Sequence, residues 1–222
     1  MENHVFKQFE NFISTPTLWI NEKFCGLNQF LFKFRSTALT DPENDFVDLQ
    51  LTNVLGKRAE TFFEHAVKSS NHYKILASRV QIIEEKITLG ELDFLLKDQE
   101  TNQTIHVELV YKFYIYDPSF PKEMQRWIGP NRRDSLLLKI NKLKNHQLPL
   151  LYQNKSKATL QELWIDTENI EQKVFFPANL FVPKHLLETS FPFINNECIT
   201  RLLDKQKEFY RSRLCWKLIF YS

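Results

Sequence analysis

Two alternating segments joined by a polar turn constrain the fold of this chain more than any other feature of its sequence. Residues 90–97 and 105–114 each alternate apolar and polar side chains, and the polar run DQETNQ (98–103) separates them. A period of two is typical of β-strands that bury one face. Two such strands around a turn-forming run predict a β-hairpin with an apolar face and a face of ionisable groups.

The alternation assigns side chains to the two faces of this hairpin. The apolar face carries Leu92, Phe94, Leu96, Val107, Leu109, Tyr111 and Phe113. The opposite face carries Glu91, Asp93, Leu95, Lys97, His106, Glu108, Val110 and Lys112. A four-residue loop between Asp98 and Gln103 fixes the register of the two strands. In that register Asp93 lies directly opposite Glu108, with Cβ atoms about 5 Å apart.

The opposed carboxylates of Asp93 and Glu108 repel each other unless a cation lies between them. Mg²⁺ suits this position, because it takes one or two carboxylates and fills its other positions with water and phosphate oxygens. Lys112 lies on the same face, where its ammonium could stabilise charge on a phosphoryl group or orient a nucleophile. A sheet face with these groups is also a common solvated surface, and the sequence leaves that alternative open.

Segments with helical periodicity flank the strands. Residues 54–68 predict a helix whose apolar face carries Leu55, Ala59, Phe62, Phe63 and Ala66. Glu60 lies at the border of that face, either as a third acidic group or as an ordinary boundary residue. Residues 134–147 predict a second helix with Asp134 as N-cap. Its inner face carries Leu136, Ile140, Leu143 and Gln147.

The rest of the chain completes an α/β pattern. Short helices and loops are expected over residues 1–50, and three strands over residues 73–113. Two further strands are expected near Leu163–Asp166 and Lys173–Phe176, followed by a helix from about Cys198 to Arg213. Helices that alternate with groups of strands predict an α/β domain with one sheet flanked by helices.

Composition excludes several classes of protein. Four glycines in 222 residues leave no Gly-rich phosphate loop, and no G-x-S-x-G serine-hydrolase motif occurs. Cys25, Cys198 and Cys215 form no C-x-x-C pair, which is typical of free thiols in a reducing compartment. The N-terminus has no apolar signal region, and the apolar stretch Val174–Val182 is about half as long as a membrane span. We therefore expect a soluble cytoplasmic protein without a membrane partner.

Positive charge is concentrated in residues 122–144. This segment has seven Lys or Arg and two Asp or Glu, whereas the whole chain has a net charge of +2. Such a patch suits a nucleic-acid backbone, although a solvated helix face has the same pattern. The candidate contacts are Arg126, Arg132, Arg133, Lys139 and Lys142. Trp127, Tyr114 and Tyr116 could stack on unpaired bases, or they could pack in the core.

Four sequence motifs, taken in order, resemble a nuclease superfamily. They are LGKRAE (55–60), GELD (90–93), HVELVYKFY (106–114) and WIGPNRRDSLLLKINKLKNHQL (127–148). Their order and spacing resemble the PD-(D/E)XK nucleases and, more closely, the bacterial family called domain of unknown function 1853, which is grouped with them. The resemblance runs from STPTLW (14–19) to the C-terminal helix and is strongest over residues 54–148.

The resemblance implies a restriction-endonuclease-like α/β core, in which helices flank a mixed central sheet. We expect a single domain over residues 1–222, with the nuclease-like core at residues 54–148. Family-specific additions at residues 1–53 and 149–222 would pack on that core. The sequence does not indicate an oligomeric state.

The same resemblance implies a set of site residues. Asp93, Glu108 and Glu60 would hold Mg²⁺ or Mn²⁺, with Glu60 also counted as a catalytic group. The superfamily usually has a lysine two positions after the second acid, and Val110 occupies that position here. Lys112, two residues further along the same face, would instead assist the attacking water. The implied function is a Mg²⁺-dependent nuclease that acts on DNA or, second in preference, on RNA.

Val110 at the usual lysine position leaves two alternatives open. One is a catalytically inactive nucleic-acid-binding or protein-interaction module on the same fold. The other is a purely structural interaction protein that docks through its aromatic-rich ends. Binding of a divalent ion discriminates between them and the nuclease, since only catalysis requires the ion.

Overall fold

A computed structural model describes residues 4–32 and 54–201 of the chain. The helices in these residues are α1 (His4–Ser14), α2 (Leu55–Ser69), α3 (Glu123–Arg126), α4 (Leu136–Lys142), α5 (Leu148–Leu150) and α6 (Asn154–Glu162), and a π-helical turn (Leu143–Gln147) joins α4 to α5. The strands are β1 (Lys23–Phe24), β2 (Leu27–Asn28), β3 (Tyr73–Glu84), β4 (Ile87–Asp98), β5 (Thr104–Leu109), β6 (Lys112–Tyr116), β7 (Trp127–Ile128), β8 (Ile170–Phe175), β9 (Ala178–Val182) and β10 (Ile199–Arg201). No helix in the described residues combines the length and the apolar character of a membrane span.

Eight of the ten strands in the described residues form two mixed sheets rather than the one sheet expected, and β1 and β2 form a separate antiparallel pair. The first sheet has the order β3-β4-β5-β8, with antiparallel pairs up to β5 and a parallel pair between β5 and β8. The second has the order β10-β9-β6-β7, in which β7 is antiparallel to β6 and the other pairs are parallel. The fold is therefore mixed α/β with flanking helices.

A pair of parallel strands runs through both sheets and joins them. Strands β5 and β6 follow each other along the chain, as do β8 and β9, and two residues separate the strands in each case. Across this break the Val110 N–H donates to the Phe175 carbonyl oxygen at 2.8 Å. Pro177, which has no N–H to give to a strand ladder, lies in the same break. The chain thus changes sheets without losing its pairing.

Apolar clusters on the two sides of the sheets hold the helices in place. Helices α1 and α2 cover the first sheet with a phenylalanine-rich cluster, in which the ring centroids of Phe63 and Phe94 are 4.8 Å apart. A second cluster packs Leu150 and Leu160, from α5 and α6, against β3 and β4. A third cluster packs Leu136 of α4 against the second sheet. Helix α4 and the π-helical turn therefore lie beside the junction of the two sheets.

The β4–β5 hairpin has the register expected from the sequence. Phe94 pairs with Val107, and the Asp98 N–H donates to the Gln103 carbonyl oxygen at 2.9 Å across a four-residue loop. Asp98 Oδ1 also accepts the Glu100 N–H at 2.9 Å, which makes an Asx turn, and the Thr101 N–H at 3.0 Å. The polar run between the strands therefore has a direct structural role.

The alternation in β4 breaks at Asp93. Phe94 packs beneath α2, whereas Leu92 and Leu95 pack together in the cluster on the opposite side. The expected common face of Leu92 and Phe94 is therefore wrong. In the adjacent strand β3, Arg79 adopts a positive φ of 54° beside this break. The irregularity releases Asp93 from the alternation, and its carboxylate turns toward the end of β5.

Other expected elements are placed differently by the structure. Residues Leu163–Asp166 do not form a strand. They follow α6, a helix that the sequence analysis did not predict because it has few apolar residues. Ser135, not Asp134, caps α4, since its Oγ accepts the Leu138 N–H at 3.2 Å. The expected C-terminal helix begins instead as strand Ile199–Arg201, which pairs with β9, and its remainder lies outside the described residues.

Candidate functional site

The two predicted acids meet where the first sheet opens. Strands β4 and β5 are paired as far as Phe94 and Val107, and in the same register the next two residues are Asp93 and Glu108. Asp93 Oδ2 accepts the backbone N–H of Leu109 at 2.9 Å. The Asp93 carboxylate thus takes the place of a strand partner at the end of β5.

Glu108 is fully buried, and both of its carboxylate oxygens have hydrogen-bond partners. Oε1 lies 3.1 Å from His106 Nε2, and Oε2 accepts the amide Nε2 of Gln147 at 2.6 Å. Lys139 Nζ donates to Gln147 Oε1 at 2.8 Å. An ammonium can only donate, so this contact fixes the orientation of the Gln147 amide. The Glu108 carboxylate is therefore held by one side chain of its own strand and by one from the π-helical turn.

The tautomer of His106 follows from Gln172 on β8. Gln172 Nε2 donates to the Leu148 carbonyl oxygen at 2.7 Å and lies 3.0 Å from His106 Nδ1. An amide nitrogen can only donate, so Nδ1 accepts and the ring proton is on Nε2, directed at Glu108. Gln172, His106 and Glu108 therefore form a buried chain of hydrogen bonds that holds the carboxylate in one position.

A widened helical turn brings Gln147 to Glu108. In the turn Leu143–Gln147 the bonding is π-helical, and the Leu148 N–H reaches back five residues to the Leu143 carbonyl oxygen. Pro149 follows this turn, has no N–H, and crowds the carbonyl of Asn145 four residues earlier, which accounts for the wide turn. Gln147 thus occupies a position on the inner face of the helix, where its amide can reach the sheet.

Asp93 has an unusually high pKa, raised to about 8. Burial is the largest cause, the negative charge of Glu108 is the next one that raises it, and Glu60 adds a smaller effect. The Leu109 N–H and the positive charge of Lys139 act in the opposite direction. Near neutral pH Asp93 therefore binds a proton.

Lys139 is a half-buried cation beside the two acids. Burial lowers the pKa of Lys139, and the charges of Glu108 and Asp93 partly offset that effect. The sequence pattern placed Lys139 on an exposed flank with Lys142, but only Lys142 is exposed. The structure therefore separates the two lysines, with Lys139 turned toward the sheet and Lys142 toward solvent.

Glu60 and Lys112, which the resemblance assigns to the site, are each held by a separate ion pair. Glu60 Oε2 is 2.9 Å from Lys57 Nζ, and the same ammonium is 3.3 Å from Glu91 Oε1. Lys112 Nζ donates to Asp134 Oδ2 at 2.6 Å. Within residues 4–32 and 54–201, no three His, Cys, Asp or Glu side chains gather closely enough to hold a metal ion together. The three predicted acids therefore do not form one compact ligand set.

The cations predicted to contact nucleic acid differ in what they do. Arg126 donates to two backbone carbonyls and a tyrosine hydroxyl of the preceding segment. Arg132 is paired with Asp117 at 2.6 Å. Arg133 and Lys142 are exposed. Arg126 is thus part of the local structure, whereas Arg133 and Lys142 are accessible to a partner.

The aromatic side chains considered for base stacking lie in the core. Trp127, Tyr114 and Tyr116 are buried, and the rings of Trp127 and Tyr116 meet edge to face with centroids 5.1 Å apart. The alternative of core packing is therefore confirmed for these three residues.

Sequence reasoning missed the hydrogen bonds that Glu108 makes with His106 and Gln147 and the one that His106 makes with Gln172, although His106 and Gln147 carried a signal. His106 falls on the Glu108 face in the period-two pattern, and Gln147 interrupts an apolar helix face. A polar side chain at a core position indicates a buried partner, because buried polar groups are nearly always hydrogen-bonded. Gln172 carried no such signal, since its contact depends on the parallel pairing of β8 with β5.

Comparison with known proteins adds a family but no described relative. A protein-family model described as Domain of unknown function (DUF1853) matches residues 24–212, which is most of the chain. Neither the curated proteins nor the solved structures contain a significant match to the chain. The family expected from the four sequence motifs is therefore confirmed.

Proposed function

Because the chain belongs to the family described as Domain of unknown function (DUF1853), its site is the guide to its function, and we propose that it is a Mg²⁺-dependent nuclease. The substrate is DNA or, second in preference, RNA. The β4–β5 hairpin, α2 and the mixed first sheet would form the restriction-endonuclease-like core of a PD-(D/E)XK enzyme.

The pair formed by half-buried Asp93 and fully buried Glu108 carries this proposal. Two neighbouring carboxylates repel each other, and the raised pKa of Asp93 reflects burial together with that repulsion. A divalent cation removes the repulsion, and carboxylate oxygens are the ligands that Mg²⁺ prefers. The pair fits a Mg²⁺ ion, or Mn²⁺, whose other positions are filled by water and phosphate oxygens.

The residues of the site have distinct roles in the proposed hydrolysis. When bound, Mg²⁺ supplies a more acidic water and neutralises charge on the phosphate. Asp93, once it has lost its proton, and Glu108 would hold the ion, and His106 and Gln147 would keep Glu108 in place. Glu60 adds a third acidic group whose charge reaches Asp93. The water oxygen bonds to phosphorus, the P–O bond to the leaving sugar breaks, and the proton of the water passes to the leaving oxygen.

Exposed cations support a nucleic-acid substrate. Arg133 lies just before α4 and Lys142 lies at its end, and both are exposed. The inner side of the same helix carries Lys139, which is beside the two acids. A backbone bound along α4 would therefore bring its phosphates close to the proposed metal ligands.

The proposal includes a cytoplasmic location. Cys25, which is exposed, and Cys198, which is buried, are both free thiols. Such thiols persist in a reducing compartment, where disulfides are rare. Cys215 lies outside the described residues.

A second candidate is a catalytically inactive nucleic-acid-binding or protein-interaction module on the same fold. The hydrogen bonds to Glu108 favour it, because a metal ion would have to share or displace the contacts from His106 and Gln147. The hydrogen bond between Lys112 and Asp134 favours it as well, since it engages the lysine expected to assist the water.

Cleavage assays on the full-length protein test the proposal. End-labelled single-stranded, duplex and branched DNA, and RNA, are incubated with Mg²⁺, with Mn²⁺ or with chelator. We expect cleavage with either ion and none with chelator. Glu108→Gln should lower the rate at least about 100-fold, whereas Glu162→Gln, which changes an exposed acid of α6, should leave it unchanged. Full activity of Glu108→Gln would refute the proposal. Nucleic-acid binding without cleavage or ion binding would favour the second candidate.

A further inference from the structure

Lys139 reaches from α4 into the site of Asp93 and Glu108. Its ammonium donates to Gln147 Oε1 at 2.8 Å, and the amide nitrogen of the same glutamine donates to Glu108 Oε2 at 2.6 Å. One side-chain amide therefore links the ammonium to the carboxylate and orients both. Because the lysine is half-buried, water screens its charge less than it screens the charge of a surface lysine.

Two other lysines near the site are disposed differently. Lys112 Nζ lies 2.6 Å from Asp134 Oδ2, so a carboxylate outside the acidic pair compensates its charge. Lys142, about one turn beyond Lys139 along the same helix, is exposed. Of these three lysines, Lys139 is the one whose hydrogen bonds direct it toward the acids.

The ammonium of Lys139 keeps donors for a ligand. An ammonium has three N–H groups, and Gln147 accepts one of them. Two N–H groups remain for oxygen atoms that enter beside Asp93. The low pKa of Lys139 has burial as its main cause, and both Asp93 and Glu108 stabilise its charged form. The position is therefore that of a charged donor next to the proposed ion site.

We propose that Lys139, rather than Lys112, is the catalytic lysine of this site. Its ammonium, oriented by Gln147, donates to a non-bridging phosphate oxygen and stabilises the negative charge that develops there. The inference rests on the proposed function and names a residue for it. Lys139 keeps its proton throughout, since the proton of the attacking water passes to the leaving oxygen. A lysine on α4 also accounts for Val110 at the usual lysine position.

Three variants of the full-length protein test the role of Lys139 in cleavage. Lys139→Met should lower kcat at least about 100-fold while KM changes little. Lys139→Arg, which keeps the positive charge, should recover part of that loss. Lys155→Met, which changes an exposed lysine of α6, should match the wild type. Thermal melts check that all three variants are folded.

Ion binding gives a readout that does not depend on activity. The positive charge of Lys139 lies close to the two acids and repels a divalent cation bound by them. Removing that charge should therefore strengthen binding of the divalent cation. Calorimetric titration of the metal-free protein with Mn²⁺ should therefore show at least several-fold tighter binding to Lys139→Met than to the wild type. Lys155→Met should bind Mn²⁺ as the wild type does.

The outcomes separate this inference from the function on which it rests. If the wild type cleaves nucleic acid and Lys139→Met is equally active, the inference is overturned and the nuclease stands. Loss of cleavage in Lys112→Met alone would overturn it in the same way. Unchanged Mn²⁺ affinity in Lys139→Met would also contradict it. If the wild type cleaves none of the substrates, the proposed function fails and the inference fails with it.

Discussion

Single residues of the site depend on one another through buried hydrogen bonds. Glu108 has no exposed surface, and its two oxygens are held by His106 and Gln147. Burial and the charge of Glu108 raise the pKa of Asp93, and Lys139 supplies a nearby positive charge. Each member thus stabilises a buried polar or charged neighbour, so that removing one leaves another without its partner.

His106→Phe tests this dependence. Phenylalanine fills similar space but cannot donate to Glu108 Oε1, so a buried carboxylate oxygen loses its partner. We expect the free energy of unfolding to fall by about 1–3 kcal/mol in urea denaturation at pH 7. His146→Phe, which changes an exposed histidine in the π-helical turn, is the control and should shift stability by less than about 0.5 kcal/mol. Equal stability of the two variants would contradict the proposed network.

Asp93→Asn tests the raised pKa of Asp93 through the pH dependence of stability. The pKa of Asp93 is raised from 3.8 to about 8 in the folded protein, where it faces Glu108, Lys139 and Glu60. The folded state then binds more protons than the unfolded state between these values, so this group makes stability fall as pH rises from about 4 to 8. Asparagine does not titrate, so Asp93→Asn removes this fall of stability with rising pH. Relative to the wild type, Asp93→Asn should therefore gain at least about 1 kcal/mol between pH 5 and pH 8, measured by urea denaturation. A difference in stability between variant and wild type that stays constant from pH 5 to pH 8 would refute the raised pKa of Asp93.

The same variant tests ion binding, with a change of sign. Without divalent ions Asp93→Asn should melt at a higher temperature than the wild type at pH 8, because the repulsion from Glu108 is gone. With millimolar Mg²⁺ or Mn²⁺ the wild type should gain stability, since an ion that binds only the folded state stabilises it, and the variant should not. Wild-type melting that ignores both ions, with and without an oligonucleotide, would favour the binding-module alternative.

Irregularities in two elements create the site. In β4 the alternation breaks at Asp93, which frees its carboxylate to reach the Leu109 N–H at the end of β5. After α4 the helix widens into a π-helical turn, which brings Gln147 within 2.6 Å of Glu108. Regular versions of these elements would keep their periodicity and would direct the two side chains elsewhere. Strand β4 also packs closely against α5, where Gly90 of β4 lies next to the Leu150 side chain of α5.

A glycine substitution at this contact, compared with one at a glycine that has no close neighbour, measures how closely β4 and α5 pack. A Cβ on Gly90 would lie 2.7 Å from Cδ2 of Leu150, a buried side chain of α5, whereas a Cβ on Gly56 in the first turn of α2 would meet nothing within 4 Å. Gly90→Ala should therefore destabilise the protein by about 1–3 kcal/mol through overpacking. Gly56→Ala should stabilise it by up to about 1 kcal/mol through helix propensity. Urea denaturation measures both, and a Leu150→Ala background should reduce the penalty at Gly90.

In the whole molecule, the site lies where the first sheet opens beside its junction with the second. The parallel pair formed by β5–β6 and β8–β9 passes through both sheets and carries Glu108 just before the break. Helix α4 lies alongside, with Lys139 toward the sheet and Lys142 toward solvent. The division of the chain into a core at residues 54–148 and two additions stays a prediction, although β8 joins the first sheet from outside that range.

The charge distribution gives a prediction at this scale for nucleic-acid binding. Affinity for duplex DNA should fall as the salt concentration rises. The slope of log affinity against log salt concentration should become shallower by about 0.9 for each phosphate contact removed. Arg133→Ala and Lys142→Ala should each reduce the slope by about one. Arg132→Ala should reduce it less, because Asp117 already compensates that charge. Fluorescence anisotropy across a salt series measures the slopes, and a wild-type slope near zero would rule out phosphate contacts.

The sequence by itself determined the parts of this protein that depend on local pattern. The polar run 98–103 and the alternation around it predicted the hairpin, its loop and its register, and therefore the proximity of Asp93 and Glu108. Helical periodicity predicted α2 and α4 with their buried faces. These features follow from neighbours along the chain, because a period of two or of 3.6 is fixed by backbone geometry.

Only the tertiary structure decided which other groups surround that pair. Gln172 reaches His106 because β8 pairs in parallel with β5, a contact between residues 66 positions apart. Gln147 reaches Glu108 through a widened turn that no periodicity indicates. Lys139 and Lys142 have the same charge and lie on neighbouring parts of a helical wheel, and only the packing of α4 on the sheet half-buries the first and leaves the second exposed. Partners across an interface are set by how elements pack, which a local pattern does not record.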